Sequence, residues 1–140
     1  WLWQYEYLNT DVSFYSKLST PYNEIYNKDT KNVNYLQEVD KELILPINKK
    51  IRFLLTSNDV LHAWWVPDLA LKKDAIPGYI NEMSVVINEP GTYRGRCAEL
   101  CGRHHGFMPI VIKAVEEKEY IEWLANANKA KTADVAEINK

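Results

Sequence analysis

One short segment near the end of the chain contains most of its metal-binding side chains. Residues 97–108 read CAELCGRHHGFM and include the only two cysteines of the protein and one of its two methionines. Thiolate and imidazole select copper, zinc or iron–sulfur clusters, and a thioether favours copper. Two thiolates, rather than the single thiolate of a blue-copper site, leave room for two metal ions bridged through sulfur. The segment therefore predicts a copper site, with electron transfer as the leading hypothesis.

A further strong ligand is expected from another part of the chain. The chain has three histidines, of which His104 and His105 lie within the cluster, and local chemistry does not choose between them. His62 is the sole candidate elsewhere, and it follows the predicted strand IRFLLTS. A ligand at the end of a second strand would fix the metal loop to the sheet. Backbone carbonyls between the cysteines, such as that of Glu99, could face the metal as weak ligands.

Each of these features has a simpler explanation when it is taken alone. A histidine beside tryptophans is more often a core or surface residue, a C-x3-C pair in an exported protein is more often a disulfide, and Met108 alone would be packing. Their joint occurrence on one loop favours a metal site. Two alternatives remain open. One is a thiol-based copper carrier that uses Cys97, Cys101 and a histidine, and the other is a structural site or disulfide within a binding domain.

Length and charge limit the class of protein. A chain of 140 residues is long enough for one domain with a hydrophobic core. A formal net charge of −2 argues against nucleic-acid binding, which needs a basic face. No stretch approaches the about 18–20 apolar residues of a membrane span, and no signal segment opens the chain. Because the first residue is Trp rather than Met, we expect a piece of a longer protein whose upstream sequence could hold a membrane anchor.

Short strands dominate the predicted secondary structure. Aromatic residues at positions 1, 3, 5 and 7 alternate with other residues, which predicts a strand with its aromatic side chains on one face. Residues 8–34 are polar and predict a long surface loop. Further strands are predicted at residues 35–39, 42–45, 51–57, 79–87, 91–96 and 107–115.

Many short strands at even spacing predict an antiparallel sandwich or barrel. Near the end, the apolar residues of 120–127 share one helical face, which predicts a single short C-terminal helix. We expect an all-β domain over residues 1–128 and a flexible tail over residues 129–140.

The cysteine cluster resembles the binuclear copper (CuA) motif C-x-E-x-C-x-x-x-H-x-x-M of cytochrome c oxidase subunit II, matched without a gap. The similarity covers about residues 1–125. Other matching stretches are WLWQYEY at the start, LQEVD at 36–40, DVLHAW at 59–64, KDAIPG at 73–78 and FMP at 107–109. The resemblance implies a cupredoxin-like Greek-key β-barrel or sandwich that faces the periplasm or the mitochondrial intermembrane space. In the family two transmembrane helices precede this domain, so their absence here is consistent with a soluble fragment.

The resemblance also implies a ligand set. By position, the ligands are His62, Cys97, the Glu99 carbonyl, Cys101, His105 and Met108. Both cysteine thiolates would bridge two copper ions, each copper would take one histidine, and Met108 and the Glu99 carbonyl would be weak axial ligands. The family spacing selects His105 rather than His104. The side chain of Glu99 resembles a family ligand to a magnesium ion that is shared with subunit I.

Partners are implied in the same way. The family accepts electrons from cytochrome c through a surface tryptophan, which is Trp1 by position, and passes them to subunit I of a proton-translocating terminal oxidase. The isolated domain would only carry electrons, with no catalytic residue of its own. Glu6, Asp40 and Asp59 match acidic family positions that steer a basic donor. Quinol-oxidising relatives lack the copper ligands, so the ligands found here argue for cytochrome c as the donor.

Overall fold

The structure is a computed structural model that describes the backbone of residues 1–138 and the side chains of residues 1–128. Within that part, short strands make up most of the secondary structure, which confirms the predicted all-β class with a C-terminal helix. The elements are β1 (Trp3–Glu6), β2 (Ser13–Ser16), α1 (Tyr22–Ile25), β3 (Leu43–Pro46), β4 (Lys50–Leu55), β5 (His62–Val66), β6 (Leu71–Ala75), β7 (Asn81–Val86), β8 (Gly91–Cys97), β9 (Pro109–Val115) and α2 (Glu117–Ile138). The predicted tail, residues 129–140, lies outside the residues with described side chains, so its flexibility stays a prediction.

The first two strands form an antiparallel ribbon in which Trp3 lies opposite Ser16. As the alternation predicts, Trp3 is buried and Tyr5 is half-buried, whereas the intervening Gln4 is exposed. Residues 8–34 are not one continuous loop, because the chain turns at Asn9, whose φ is 62°, and returns as β2. The short helix α1 follows within the same segment.

A five-stranded sheet forms the centre of the domain, in the order β3-β9-β8-β5-β6. The β3–β9 pair is parallel, and the other neighbours are antiparallel. The strands β4 and β7 form a separate antiparallel ribbon, with Phe53 opposite Met83. Side chains from all three sheets meet in one hydrophobic core, in which Val66, Ile110 and Ile112 are fully buried.

The strands β2, β5 and β6 were not predicted, and two of the predicted strands differ from the structure for a physical reason. Residues 35–39 do not form a strand, because Leu36 has a φ of 58° and extended backbone requires a negative φ. That segment makes one isolated bridge, between Leu18 and Val39. The strand predicted at residues 107–115 begins at Pro109, because His105–Phe107 forms a single 3-10 turn. Among the described residues, we found no helix with the length and apolar character needed to cross a membrane.

Candidate metal centre

Three neighbouring strands of the central sheet bring the predicted ligands together at one end of the strands. Cys97 ends β8, and Met108 directly precedes β9. The Cys97 amide donates to the Met108 carbonyl at 3.2 Å, which closes the loop between these strands. His62 begins β5, which runs antiparallel to β8 with Trp64 opposite Cys97. The start of β5 therefore places His62 beside the loop, whereas from the sequence this histidine was expected after the strand at 51–57 and β5 was not predicted.

Backbone hydrogen bonds shape the loop between the cysteines and the methionine. The Ala98 amide donates to the Ala63 carbonyl at 2.9 Å, which attaches the start of the loop to β5. Gly102 has a φ of 112°, a conformation that favours glycine because it has no Cβ. The His105 amide then donates to the Gly102 carbonyl at 3.1 Å and begins the 3-10 turn. The sharp turn at Gly102 thus returns the chain toward the first cysteine.

The two thiols lie side by side, and each has an imidazole nitrogen next to it. The Cys97 and Cys101 Sγ atoms are 3.8 Å apart. Because a disulfide needs a separation of about 2.05 Å, both cysteines are free thiols. His62 Nδ1 lies 3.8 Å from the Cys97 sulfur, and His105 Nδ1 lies 3.4 Å from the Cys101 sulfur. The arrangement is close to symmetrical, with one histidine for each sulfur.

The predicted weak donors lie against the same two sulfurs. The Met108 Sδ atom is 3.8 Å from the Cys101 sulfur, and its side chain is 3% exposed. The Glu99 carbonyl oxygen is 3.3 Å from the Cys97 sulfur. His104, the other histidine of the loop, instead packs its ring against Trp1. The structure therefore brings together all the residues of the predicted ligand set.

Burial makes the Cys101 thiol a poor acid. Burial and the neighbouring Cys97 raise the pKa of Cys101 to about 11. Two thiolates in such a position would repel each other and lack solvation, so a cation is required to hold both in the ionised form. The ligand atoms of His62, Cys97 and Cys101 all lie within 4.8 Å of one another. Soft sulfur and imidazole donors at this spacing fit copper.

A carboxylate orients the first histidine. Asp59 Oδ1 is 2.8 Å from His62 Nε2, and it also accepts hydrogen bonds from the Val60 amide and the Ser57 hydroxyl. Partial burial acts to raise the pKa of this carboxyl, but these hydrogen bonds from Val60, His62 and Ser57 lower it to about 2. A carboxylate on the outer nitrogen of a ligating histidine fixes its tautomer and orientation. Sequence reasoning considered Asp59 only for docking, although its spacing of three residues from His62 was available as a signal.

Two tryptophans of the N-terminal segment hydrogen-bond to the metal loop. Trp1 Nε1 donates to the Cys101 carbonyl at 2.8 Å, and its ring is 44% exposed. Trp3 Nε1 donates to the Met108 carbonyl at 3.3 Å from a buried position. The exposed ring of Trp1 is therefore connected to the backbone of one cysteine by a single hydrogen bond.

The remaining predicted residues lie at the surface. Glu6 is exposed on β1 and accepts a hydrogen bond from Gln4 Nε2 at 3.0 Å. Asp40 Oδ1 accepts from the Lys17 amide at 2.7 Å. Glu99 is exposed as a residue, whereas its carbonyl oxygen contacts the Cys97 sulfur. Each of these carboxylates is accessible to a partner, and their docking and magnesium-binding roles stay predictions.

Comparisons with known proteins agree on the family. The family described as "Cytochrome C oxidase subunit II, periplasmic domain" matches residues 1–115. Cytochrome c oxidase subunit 2 of Oncopeltus fasciatus is 44% identical over 124 residues, which are 89% of this chain and 52% of that protein. The chain thus spans about half the length of the curated relatives it matches.

Solved structures agree on the fold. The periplasmic domain of subunit II of cytochrome oxidase (CoxB) of Bradyrhizobium japonicum superposes with a TM-score of 0.81 and 37% identity, over 93% of this chain and 88% of that one. A mixed disulfide intermediate between the thioredoxin-like TlpA and subunit II of cytochrome c oxidase matches with a TM-score of 0.68 and 37% identity, over 87% of this chain and 79% of that one. The CoxB match confirms the predicted cupredoxin-like fold. On the family match, the sequence identity and the fold together, this chain belongs to the cytochrome c oxidase subunit II family and corresponds to its periplasmic domain.

Proposed function

We propose that this domain accepts electrons from cytochrome c at a mixed-valence pair of copper ions and passes them to the haem-copper subunit of a terminal oxidase. The observation that carries the proposal is the pair of buried thiols 3.8 Å apart, each with a histidine Nδ1 atom within 3.8 Å. A mononuclear blue-copper site needs only one thiolate, so the second sulfur and its own histidine favour two metals.

The residues that would hold the copper ions divide into strong and weak ligands. Cys97 and Cys101 would supply two thiolates, and His62 and His105 would supply one imidazole nitrogen each. Met108 Sδ and the Glu99 carbonyl would be weak ligands. When bound, the copper pair supplies a one-electron site whose charge is shared between two metals, so that bond lengths change little on oxidation. The chain shields the site from solvent. Four of its residues are each at most 6% exposed, namely Cys97, Cys101, His62 and Met108.

Trp1 is the residue through which electrons would reach the site. Its ring is accessible to a partner, and its indole N–H connects to the Cys101 carbonyl at 2.8 Å. The exposed carboxylates Glu6, Asp40 and Asp59 would steer a donor with a basic face. These roles follow from the family resemblance and would complete the proposed route from cytochrome c to Cys101.

We propose that the rest of the enzyme lies outside this chain, which spans about half the length of its curated relatives. We propose that transmembrane helices precede this domain and hold it at the periplasmic face of a bacterial inner membrane, or at the equivalent face in the mitochondrial intermembrane space. The exposed side chain of Glu99 would bind magnesium together with subunit I. The complex as a whole would be the proton-translocating cytochrome c oxidase.

Rapid mixing of reduced cytochrome c with the copper-loaded domain tests this function. We expect Trp1→Leu to slow electron transfer without changing the copper spectrum, because the substitution removes the ring and its hydrogen bond but no ligand. Trp123→Leu is the matched control, since that ring packs on Tyr7, away from the cysteines. Equal rates for both variants would contradict the role of Trp1, and no oxidation of cytochrome c by the unmodified domain would contradict the function.

One comparison favours a second, preparatory chemistry of the same cysteines. A related subunit II forms a mixed disulfide with a thioredoxin-like protein. We propose that Cys97 and Cys101 also form a disulfide when a disulfide oxidant takes two electrons and two protons from them, which requires their sulfurs to approach from 3.8 Å to about 2.05 Å. A partner dithiol would then reduce it: one partner thiolate attacks a sulfur, the other cysteine leaves as a thiolate, and the second partner thiol releases the mixed disulfide. Two electrons pass to the cysteine pair, and the partner becomes the disulfide.

Counting free thiols tests this step. A diamide-treated domain is expected to show no free thiol and to bind no copper, and a thioredoxin-like dithiol is expected to restore both. Retention of two free thiols after oxidation would contradict the proposal.

A further inference from the structure

A second site lies on the face of the central sheet that points away from the metal centre. Trp64 and Cys97 are paired across β5 and β8, and both belong to the core. The adjacent pair, Trp65 and Arg96, points to the opposite face because side chains alternate along a strand. On that face there is a cleft of about 260 Å³, lined by Gln37, Trp65, Pro67, Arg94, Gly95 and Arg96.

A glycine allows the two strands to approach each other beside the cleft. A Cβ atom added at Gly95 would lie 2.0 Å from the Trp65 carbonyl oxygen and 2.8 Å from a methyl group of Val66. Any other residue would therefore push β8 away from β5. The close contact at Gly95 sets Arg94 and Arg96, which precede and follow it, along the same wall as Trp65.

The positive charge of the cleft is only partly neutralised by ion pairs with the described residues. Arg94 Nη2 pairs with Glu38 Oε1 at 2.5 Å, whereas its Nε atom is buried and has no hydrogen-bond partner among the described residues. The Arg94 side chain as a whole is 33% exposed and lines the cleft, so its outer guanidinium donors, rather than the covered Nε–H, are available to a ligand. Arg96 is exposed, and its guanidinium makes no ion pair with any described side chain. Lys72 adds a third cation, with Nζ 5.8 Å from the centre of the Trp65 ring.

The charge is local, because the chain as a whole has a formal net charge of −2. The lining includes two arginines and no carboxylate, and Glu38 is the nearby acid that pairs with Arg94. Guanidinium groups present several N–H donors in a planar fork that matches the oxygens of carboxylate and phosphate. The volume lies just below the about 300–1,000 Å³ of sites for drug-sized ligands, so the ligand must be small.

We propose that this cleft binds a small oxyanion, a phosphate or carboxylate group, through the guanidinium groups of Arg94 and Arg96 beside the indole of Trp65. Phosphate and carboxylate present the same oxygen geometry to arginine, and the probes below distinguish them. The site uses no residue of the metal centre, so its test does not depend on copper binding.

Nuclear magnetic resonance of the metal-free domain tests the site directly. The side-chain N–H resonances of Arg94 and Arg96 are followed during titration with inorganic phosphate, with acetate, and with chloride at matched ionic strength. We expect a saturable shift with phosphate or acetate and not with chloride. Tighter binding of phosphate would identify a phosphate-bearing ligand, and tighter binding of acetate a carboxylate-bearing one.

Two arginine variants separate a built site from general surface charge. Arg96→Gln is expected to weaken binding about tenfold, because it removes charge-assisted hydrogen bonds from an exposed position. Arg52→Gln is the matched control, since Arg52 lies on β4 and pairs with Glu82 outside the cleft. The proposal is overturned if neither oxyanion binds more tightly than chloride, or if both variants weaken binding equally.

Discussion

Asp59 Oδ1 lies 2.8 Å from Nε2 of His62, while Nδ1 of the same ring lies 3.8 Å from the Cys97 sulfur. The imidazole is thus held between a carboxylate and a thiol, and it is 5% exposed. Because Nε2–H donates a hydrogen bond to the carboxylate, the Nδ1 atom keeps its lone pair, and this atom faces the Cys97 sulfur. In the proposed site, this contact would orient His62 for binding copper.

Replacing this carboxylate tests the relationship. Asp59→Ala is expected to weaken copper binding about 10- to 100-fold, the usual effect of losing a partner of a ligating histidine. Asp59→Asn retains an oxygen acceptor and should lose less of the copper affinity than Asp59→Ala. Competition with a copper chelator measures the affinity, and Asp68→Ala, at an exposed aspartate in a 3-10 turn, is the control. Equal affinities for Asp59→Ala and Asp68→Ala would show that the carboxylate does not support the ligand.

The thioether of Met108 is expected to tune the site rather than build it. Met108→Leu should retain two coppers per chain but shift the reduction potential, since only a weak ligand is lost. The change conserves side-chain volume, so the loss of stability should stay below about 1.5 kcal/mol. Met83→Leu is a matched control, because Met83 packs against the core on β7. Loss of one copper, or the same potential in both variants, would contradict the assignment of Met108.

Tyr7 connects the N-terminal ribbon to the central sheet. Its hydroxyl donates to the Ile44 carbonyl at 2.8 Å and accepts from the Ile44 amide at 2.9 Å. Tyr7→Phe leaves both backbone groups without this partner and should lower the free energy of unfolding by about 1–3 kcal/mol. Urea unfolding at pH 7 measures the loss. Tyr22→Phe, at a residue that is 75% exposed, should have little effect.

The Tyr7 hydroxyl makes the free energy of unfolding depend on pH in the alkaline range. Burial raises the pKa of Tyr7 well above its ordinary value, and burial also raises that of Tyr5. Below about pH 10 the folded and the unfolded chain both keep these tyrosine protons, so the full free energy of unfolding is retained. Above it the unfolded chain loses the proton first, and stability falls by up to about 1.4 kcal/mol per pH unit for each group. Tyr7→Phe should therefore show a shallower fall between pH 10 and 11 than the unmodified metal-free domain, and an unchanged slope would contradict the burial effect.

The metal loop could be predicted from sequence because its donors are local. The spacing from Cys97 to Met108 places sulfur and imidazole on one loop, and the structure brings these groups within 3.8 Å of the cysteine sulfurs. Local chemistry did not separate His104 from His105, since the choice depends on the turn at Gly102. The role of Asp59 depends in the same way on a turn in which Ser57 and Val60 also participate.

Features that depend on strand pairing were harder to predict. The strand β5 was missed because it is buried on both faces, so HAWWV shows no alternation of polar and apolar residues. Residues 35–39 have the composition of a strand, but the positive φ of Leu36 interrupts it. The oxyanion cleft requires the register of Trp65 with Arg96, which residues 31 positions apart do not reveal in the sequence.

Copper stoichiometry with electron paramagnetic resonance of the oxidised, copper-loaded domain tests the central claim most directly. We expect two coppers per chain and hyperfine structure from one electron shared equally by both nuclei. Cys101→Ser should lose this spectrum, because one thiolate cannot bridge two coppers symmetrically. One copper with its electron on a single nucleus, as a mononuclear site would give, one copper without a signal, as a Cu(I) carrier would give, or no bound copper at all, would contradict the proposed centre.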